Sequence, residues 1–224
     1  MPKLYVIATP IGNLEDITLR ALRILREVDF VICEDTRVTK KLLSRHDISK
    51  LLVSCHEHST PKVYEKIFEM LSKGKNAALV TDAGTPGISD PGARLLSFLR
   101  ENNPEVEISP IPGPSALLAA ASVAGINMDQ FLFLGFPPHK KGRKTFFEEV
   151  AKVAVPVIFY ESTHRVAKAF AELAGVLGDA ADIVVAREIT KIYEEVWRGT
   201  IKDAAVHFVG ERQRGEFVII VPVK

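Results

Sequence analysis

Short apolar runs rich in β-branched residues alternate along this chain with longer stretches whose apolar positions recur every three to four residues. The short runs predict strands at Leu4–Ala8, Phe30–Cys33, Ala77–Thr81 and Val106–Ser109. The longer stretches predict helices over Ile17–Val28, Arg37–Arg45, Pro61–Lys73 and Pro91–Arg100. Two helix starts are marked by Thr60-Pro61 and Asp90-Pro91. Each puts a side chain able to cap before a proline at the first helical position, where the missing N–H costs nothing. Strand and helix in alternation predict an α/β domain with a largely parallel sheet.

A run of small residues, Ser115–Ala124, followed by Gly125, leads into a second half. Here the pattern predicts strands at Phe131–Leu134, Val157–Tyr160, Asp182–Arg187, Glu194–Arg198 and Phe217–Val221. Helices are expected over Lys144–Val153, Thr163–Leu177 and Ile201–Val209. The boundary falls within residues 112–128, which divides the chain into an N-terminal α/β domain, 1–115, and a C-terminal α/β domain, 116–224. Neither a fixed-period repeat nor a low-complexity segment interrupts this order.

Composition narrows the function classes. The chain has 224 residues, 47% hydrophobic and 25% charged, as in a soluble globular protein. Its net charge of +1 gives no global field toward nucleic acid or membrane, so any such binding rests on a local patch. Cys33 and Cys55 are the only cysteines. That usage fits a reducing cytoplasm and leaves a disulfide open. The opening MPKLYVIATP is too short an apolar run for a signal peptide. No stretch reaches the roughly 20 apolar residues of a membrane span.

The irregular segments follow predicted strands: Thr9–Asn13 (TPIGN), Glu34–Arg37 (EDTR), Asp82–Gly92 (DAGTPGISDPG) and Pro110–Ala116 (PIPGPSA). Ligands of open α/β sheets bind outside the carboxyl ends of the strands, so four such segments suggest one cleft. Neither glycine fingerprint of a phosphate site is present. Glycines 84, 87 and 92 let backbone approach a ligand closely. Asp82 can accept hydrogen bonds from a ribose or an ammonium. A cationic adenosine compound without phosphate, such as S-adenosylmethionine, suits this loop. Asp90 reads equally as a helix cap.

In the second half, FYESTHR holds Glu161, Ser162, His164 and Arg165, and AREITKIYEEVWRGT holds Arg187, Glu188, Lys191, Glu194 and Glu195. These groups are open to acid–base work, to helix capping or to surface pairing. His56 and His58 of CHEH have no second ligand cluster at zinc-like spacing, so no metal is expected. The basic stretch His139–Lys144 is either a solvated loop or a contact for RNA phosphates.

Together, LYVIATPIGNLEDITLRAL, EDTR, DAGTPGISDPGARL, PIPGPSAL, FLFLGFPP, FYESTHR, AREITKIYEEVWRGT and GEFVIIV resemble the ribosomal RNA small-subunit methyltransferase I family of the tetrapyrrole methylase superfamily. The match runs in order through nearly the whole chain. The resemblance implies two α/β domains of tetrapyrrole-methylase type with an S-adenosylmethionine cleft between them. It implies methyl transfer to the ribose 2′-hydroxyl of a cytidine in small-subunit (16S) ribosomal RNA by a cytoplasmic homodimer. Cofactor contacts are implied at Pro10, Gly12, Asp82, Ala83, Gly84, Pro86, Gly87, Ile88, Ser89, Gly113, Ser115, Ala116, Phe159 and Tyr160. Candidates for the base are Asp35, Asp82, Glu161, His164 and Glu188. Candidates for RNA phosphate contacts are Arg37, Lys140, Lys141, Arg143, Lys144, Arg165 and Lys191. Many family members carry a further helical segment after the last strand, whereas this sequence ends at Lys224. If that segment docks RNA in the family, this chain is expected to use other surfaces for it, or to have another substrate. Methylation of a small tetrapyrrole, or cofactor sensing without transfer, are the rival readings.

Overall fold

All strands of the first sheet run parallel, as their alternation with helices requires, since parallel neighbours need long crossovers. The computed structural model describes residues 1–102 and 105–223, and the chain divides into two units, Met1–Ser115 and Ala116–Lys224. In the first unit β1 (Lys3–Ile7), β2 (Phe30–Cys33), β3 (Leu51–Ser54), β4 (Ala77–Leu79) and β5 (Glu107–Ile111) stand in the order β3-β2-β4-β1-β5. The crossovers carry α1 (Leu19–Glu27), α2 (Thr36–Arg45), α3 (Pro61–Ser72) and α4 (Gly92–Asn102). β3 is absent from the sequence-based expectation. It is an edge strand with a short apolar run, Leu51–Val53, of which only Val53 is buried.

Both faces of this sheet are covered, and β2 shows how. Val31 and Cys33 join one apolar layer with Ile7, Leu25 and Ala78; Phe30 and Ile32 join the other with Leu4, Ile67 and Leu95. Fully burying each large apolar side chain contributes about 1.5–3 kcal/mol. Cys33 and Cys55 are both free and buried, and they belong to opposite layers. A disulfide needs both Cβ atoms on the same side, so the two thiols do not pair in this fold. Burial pushes the Cys55 thiol up to about 11, with Cys33 adding to the shift.

Helix starts use side chains unevenly. Thr18 Oγ1 caps α1 by accepting from Ala21 N–H, and Asp35 caps α2 by accepting from Arg37 N–H. Thr60 takes the cap position of α3 with no side-chain cap hydrogen bond, so proline alone marks that start. Asp90 does accept from Gly92 N–H at 2.6 Å, at the head of α4.

The second unit is differently built. β6 (Leu132–Phe133), β7 (Val157–Ser162), β8 (Asp182–Arg187), β9 (Glu195–Thr200) and β10 (Glu216–Val221) lie in the order β6-β7-β10-β8-β9. Only β6 and β7 are parallel; the last strand inserts antiparallel between β7 and β8, and β8 and β9 are antiparallel. α6 (Arg143–Val150), α7 (Val166–Leu177) and α8 (Ile201–His207) cover one face through Phe147, Phe170 and Ile201, packed on Phe159 and Phe217. α5 (Ala116–Val123) covers the other through Ala120 and Ala121, packed on Ile158 and Val184. α7 begins three residues later than its sequence suggests. The Thr163 hydroxyl donates to Gly215 O at 2.8 Å and accepts from Gly215 N–H at 2.7 Å, so it braces the approach to β10 and caps nothing.

Candidate functional site

Parallel strands bring their carboxyl ends to one edge, and the three segments leaving β1, β4 and β5 are tied together there. Thr9 N–H donates to Gly84 O at 2.9 Å, and Gly84 N–H returns to Thr9 O at 3.0 Å. The Thr9 hydroxyl donates to Thr81 O at 3.0 Å. The Thr85 hydroxyl donates to Pro114 O at 3.2 Å. Pro10, Gly12, the Asp82–Ser89 loop, Gly113 and Ser115 thus belong to one pinned rim. Asp90 knots its outer part, with Oδ2 accepting from Gly87 N–H and Ile88 N–H and Oδ1 from Gly92 N–H. Asp90 is therefore a loop and cap residue. Ser89, at φ +61°, is held in a conformation that costs a non-glycine residue about 1–2 kcal/mol.

Two glycines are needed here for different reasons. At Gly113 a Cβ would stand 3.1 Å from that of Ala8, so a side chain there would push β1 and the β5 turn apart by a few tenths of an ångström. At Gly84 space is adequate, with Ile11 at 3.5 Å, but φ is +85°. Gly84→Ala is expected to destabilise the protein by about 1–2 kcal/mol through backbone strain. Denaturant melts read this directly, and an unchanged midpoint contradicts it.

Lys and Arg are absent from residues 8–13, 81–91 and 111–116. The rim offers backbone groups and the acceptor-only Asp82 carboxylate, which suits a cationic, hydroxyl-bearing ligand and repels phosphate. These residues fit the cofactor that the resemblance implies. Asp82 Oδ1 also accepts from Asp35 N–H at 3.1 Å, joining the rim to the end of β2.

At that strand end two adjacent carboxylates have opposite surroundings. Asp35 caps α2, and Arg37 Nε and Nη2 clamp it at 3.1 and 2.6 Å. Hydrogen bonds from the Arg37 side chain and backbone hold its pKa down to about 2. Glu34 has a raised pKa, from burial first and then from the Asp82, Asp90 and Glu57 carboxylates, against a hydrogen bond from Thr81. Of the two, Glu34 has the stronger affinity for a proton, although the sequence singled out Asp35. The EDTR motif contains both, and only the fold tells which one is spent on capping.

In the second unit the sequence candidates divide. Glu161 lies inside β7 and is 1% exposed. Its carboxylate takes Arg143 Nη2 at 3.2 Å and Arg165 Nε at 2.9 Å. A carboxylate held between two guanidiniums has no free lone pair suited to proton abstraction, which removes Glu161 as a base. Arg143, 3% exposed, also pairs with Glu172 at 2.7 Å. It is committed to the interior and is not presented to phosphate, contrary to its reading as part of a basic loop. Arg165 is half-buried in the same cluster.

Glu188 accepts from Lys191 Nζ at 2.8 Å and Glu216 N–H at 2.9 Å. Burial opposes its ionisation, yet these hydrogen bonds hold its pKa below the ordinary value. Lys191 also pairs with Glu216 at 2.9 Å, so neither partner of this pair is open for base or phosphate work. The Phe159 ring packs against Phe146 and Phe147 in the core, which leaves only its backbone for a ligand. Tyr160 points to the other layer, where its hydroxyl accepts from Leu117 N–H near the start of α5, at Ala116. His164, Lys140, Lys141, Lys144 and Arg37 are exposed. His56 Nδ1 accepts from His58 N–H, and His58 pairs with Glu57. Among the described residues no helix is long and apolar enough to cross a membrane.

Residues 3–205 match the family described as Tetrapyrrole (Corrin/Porphyrin) Methylases. A protein of Thermotoga maritima named ribosomal RNA small subunit methyltransferase I is 40% identical over the full length of both chains. The protein of the same name from Halalkalibacterium halodurans is 44% identical over 97% of this chain and 75% of its own. Among solved structures, a cobalt precorrin-4 methyltransferase superposes with a TM-score of 0.74 at 20% identity, covering 98% of this chain and 94% of its own. A uroporphyrin-III-C-methyltransferase from Thermus thermophilus gives 0.68 at 16%, covering 99% and 94%. At such identities the likeness is one of fold.

Proposed function

Because this chain belongs to the tetrapyrrole methylases, and among them to the ribosomal RNA small subunit methyltransferase I family, we propose that it transfers a methyl group from S-adenosylmethionine to the ribose 2′-hydroxyl of a cytidine in small-subunit ribosomal RNA. The observation that carries this reading is the full-length identity of 40% to a relative named for that RNA. The geometry of the first unit supports it through three pinned loop segments without Lys or Arg and a carboxylate of raised pKa, Glu34, at the neighbouring strand end.

S-adenosylmethionine, when bound, supplies an electrophilic methyl on a cationic sulfur. Asp82 would hold the cofactor's hydroxyl or ammonium groups as a hydrogen-bond acceptor, and Gly84 and Gly87 would let backbone approach it. Pro10, Gly12, Gly113 and Ser115 belong to the same rim. A ribose hydroxyl is a weak nucleophile, and Glu34 would be the group that takes its proton. Glu34 suits this step because burial and the neighbouring carboxylates favour its protonated form once the proton has arrived. Asp35 holds Arg37 beside the rim through Nε and Nη2, and the exposed remainder of the guanidinium is the part placed to meet an RNA phosphate.

Calorimetric titration with S-adenosylmethionine tests the cofactor half. Asp82→Asn keeps the shape and loses the charge, and a charge-assisted hydrogen bond contributes about 1.5–3 kcal/mol. Affinity is expected to fall roughly ten- to a hundredfold. Equal affinity in the variant removes Asp82 from the site.

A further inference from the structure

The Glu161 cluster has a consequence for the surface above it. Arg143 Nη1 donates to Pro138 O at 3.3 Å, and Arg165 Nη1 donates to Pro137 O at 3.0 Å. Both guanidiniums are fixed by Glu161, so one buried carboxylate grips two successive carbonyls of the Pro137-Pro138 turn. Arg143 N–H also closes on Lys140 O at 3.3 Å. Gly142, at φ +86°, starts α6. The charges inside cancel, because Arg143 and Arg165 face Glu161 and Glu172. Outside, His139, Lys140, Lys141 and Lys144 are exposed. Among the described residues Lys144 alone of these has an acidic neighbour, Glu148 at 3.6 Å, a solvated pair of small worth.

We propose that the Glu161–Arg143–Arg165 ion pairs are a mount that presents Lys140, Lys141 and Lys144 as a rigid three-charge surface for an RNA phosphate backbone, with Glu161 a positioning residue. This rests on the RNA reading above. A strand of RNA fits because its charges repeat along a line, and the lysines offer point charges to it. The surface holds the substrate in register and reads no sequence. Prolines on the gripped turn and the buried mount fix the backbone from which the lysines project before RNA arrives, so binding orders side chains and not the turn.

The test is filter binding of an unmodified small-subunit RNA transcript across a salt series, with methyl transfer measured on the same preparation. For single-stranded contacts each lost phosphate lowers the salt slope by about 0.7. The triple variant Lys140→Ala, Lys141→Ala, Lys144→Ala is expected to lose about 2 from that slope and roughly a hundredfold in affinity at about 0.1 M salt. Its S-adenosylhomocysteine affinity should not move. Glu161→Gln, if folded by melting, should lower the slope in the same direction and raise KM for RNA more than it lowers kcat. Adding it to the triple variant should cause no further loss of slope. Transfer by the wild type together with an unchanged slope in the triple variant overturns the lysine surface alone. A lysine effect that Glu161→Gln does not share overturns the mount. No transfer by the wild type to subunits or transcript overturns the RNA reading and this inference with it. The triple variant leaves the core untouched, so the outcome does not hang on Glu161→Gln folding.

Discussion

Glu34→Gln is expected to lower turnover on small-subunit RNA by about 10²–10⁴-fold, the range for loss of a positioned general base. Glutamine keeps the size and the hydrogen bond from Thr81, so S-adenosylmethionine affinity and melting temperature should hardly change. The neighbouring change Asp35→Asn sets the contrast. Asparagine caps helices nearly as well as aspartate, and a carboxyl held down to about 2 has little pull on a proton. Asp35→Asn should therefore cost far less turnover than Glu34→Gln. The pH profile supplies a second readout. Base catalysis needs ionised Glu34, whose pKa is raised above its ordinary 4.5, so activity rises with pH along an acid limb lying above that value. The limb should vanish in Glu34→Gln. Normal turnover in that variant, or an acid limb at or below 4.5, removes Glu34 as the base.

Glu161→Ala carries the second large effect, on stability. The carboxylate is buried between Arg143 and Arg165. Removing it leaves Arg143, 3% exposed, with one fewer counter-charge in a desolvated site. Breaking a buried pair from one side costs about 3–5 kcal/mol. The Phe147 ring beneath the Arg143 guanidinium, at 5.3 Å, cannot replace an anion. Glu172→Ala should cost clearly less, because that partner is partly solvated. Denaturant midpoints of the two variants read the difference. A Glu161→Ala protein as stable as Glu172→Ala contradicts the account of the cluster.

The parallel sheet was legible because its central strands are continuous apolar runs and its crossovers carry helical periodicity. β3 was hidden because an exposed edge strand buries only Val53. In the second unit the strands were legible, but their pairing was not, because the last strand inserts between β7 and β8 and antiparallel register has no local signature. At the site, the pinned rim follows from glycines and prolines placed after strands. The choice between Glu34 and Asp35 does not, since it depends on which side chain turns back to cap α2. Likewise Arg143 reads as one more base in HKKGRK, and Glu161 as a polar group at a strand end. Their pairing spans 18 residues of chain and is decided by packing.

Incubating the protein with labelled S-adenosylmethionine and small ribosomal subunits that lack the methyl group, then mapping the label by nuclease digestion and mass spectrometry, reads substrate and reaction together. The expected result is one methyl group on the 2′-oxygen of a single cytidine. Label on a base, or transfer to a tetrapyrrole with none to the subunit, contradicts it.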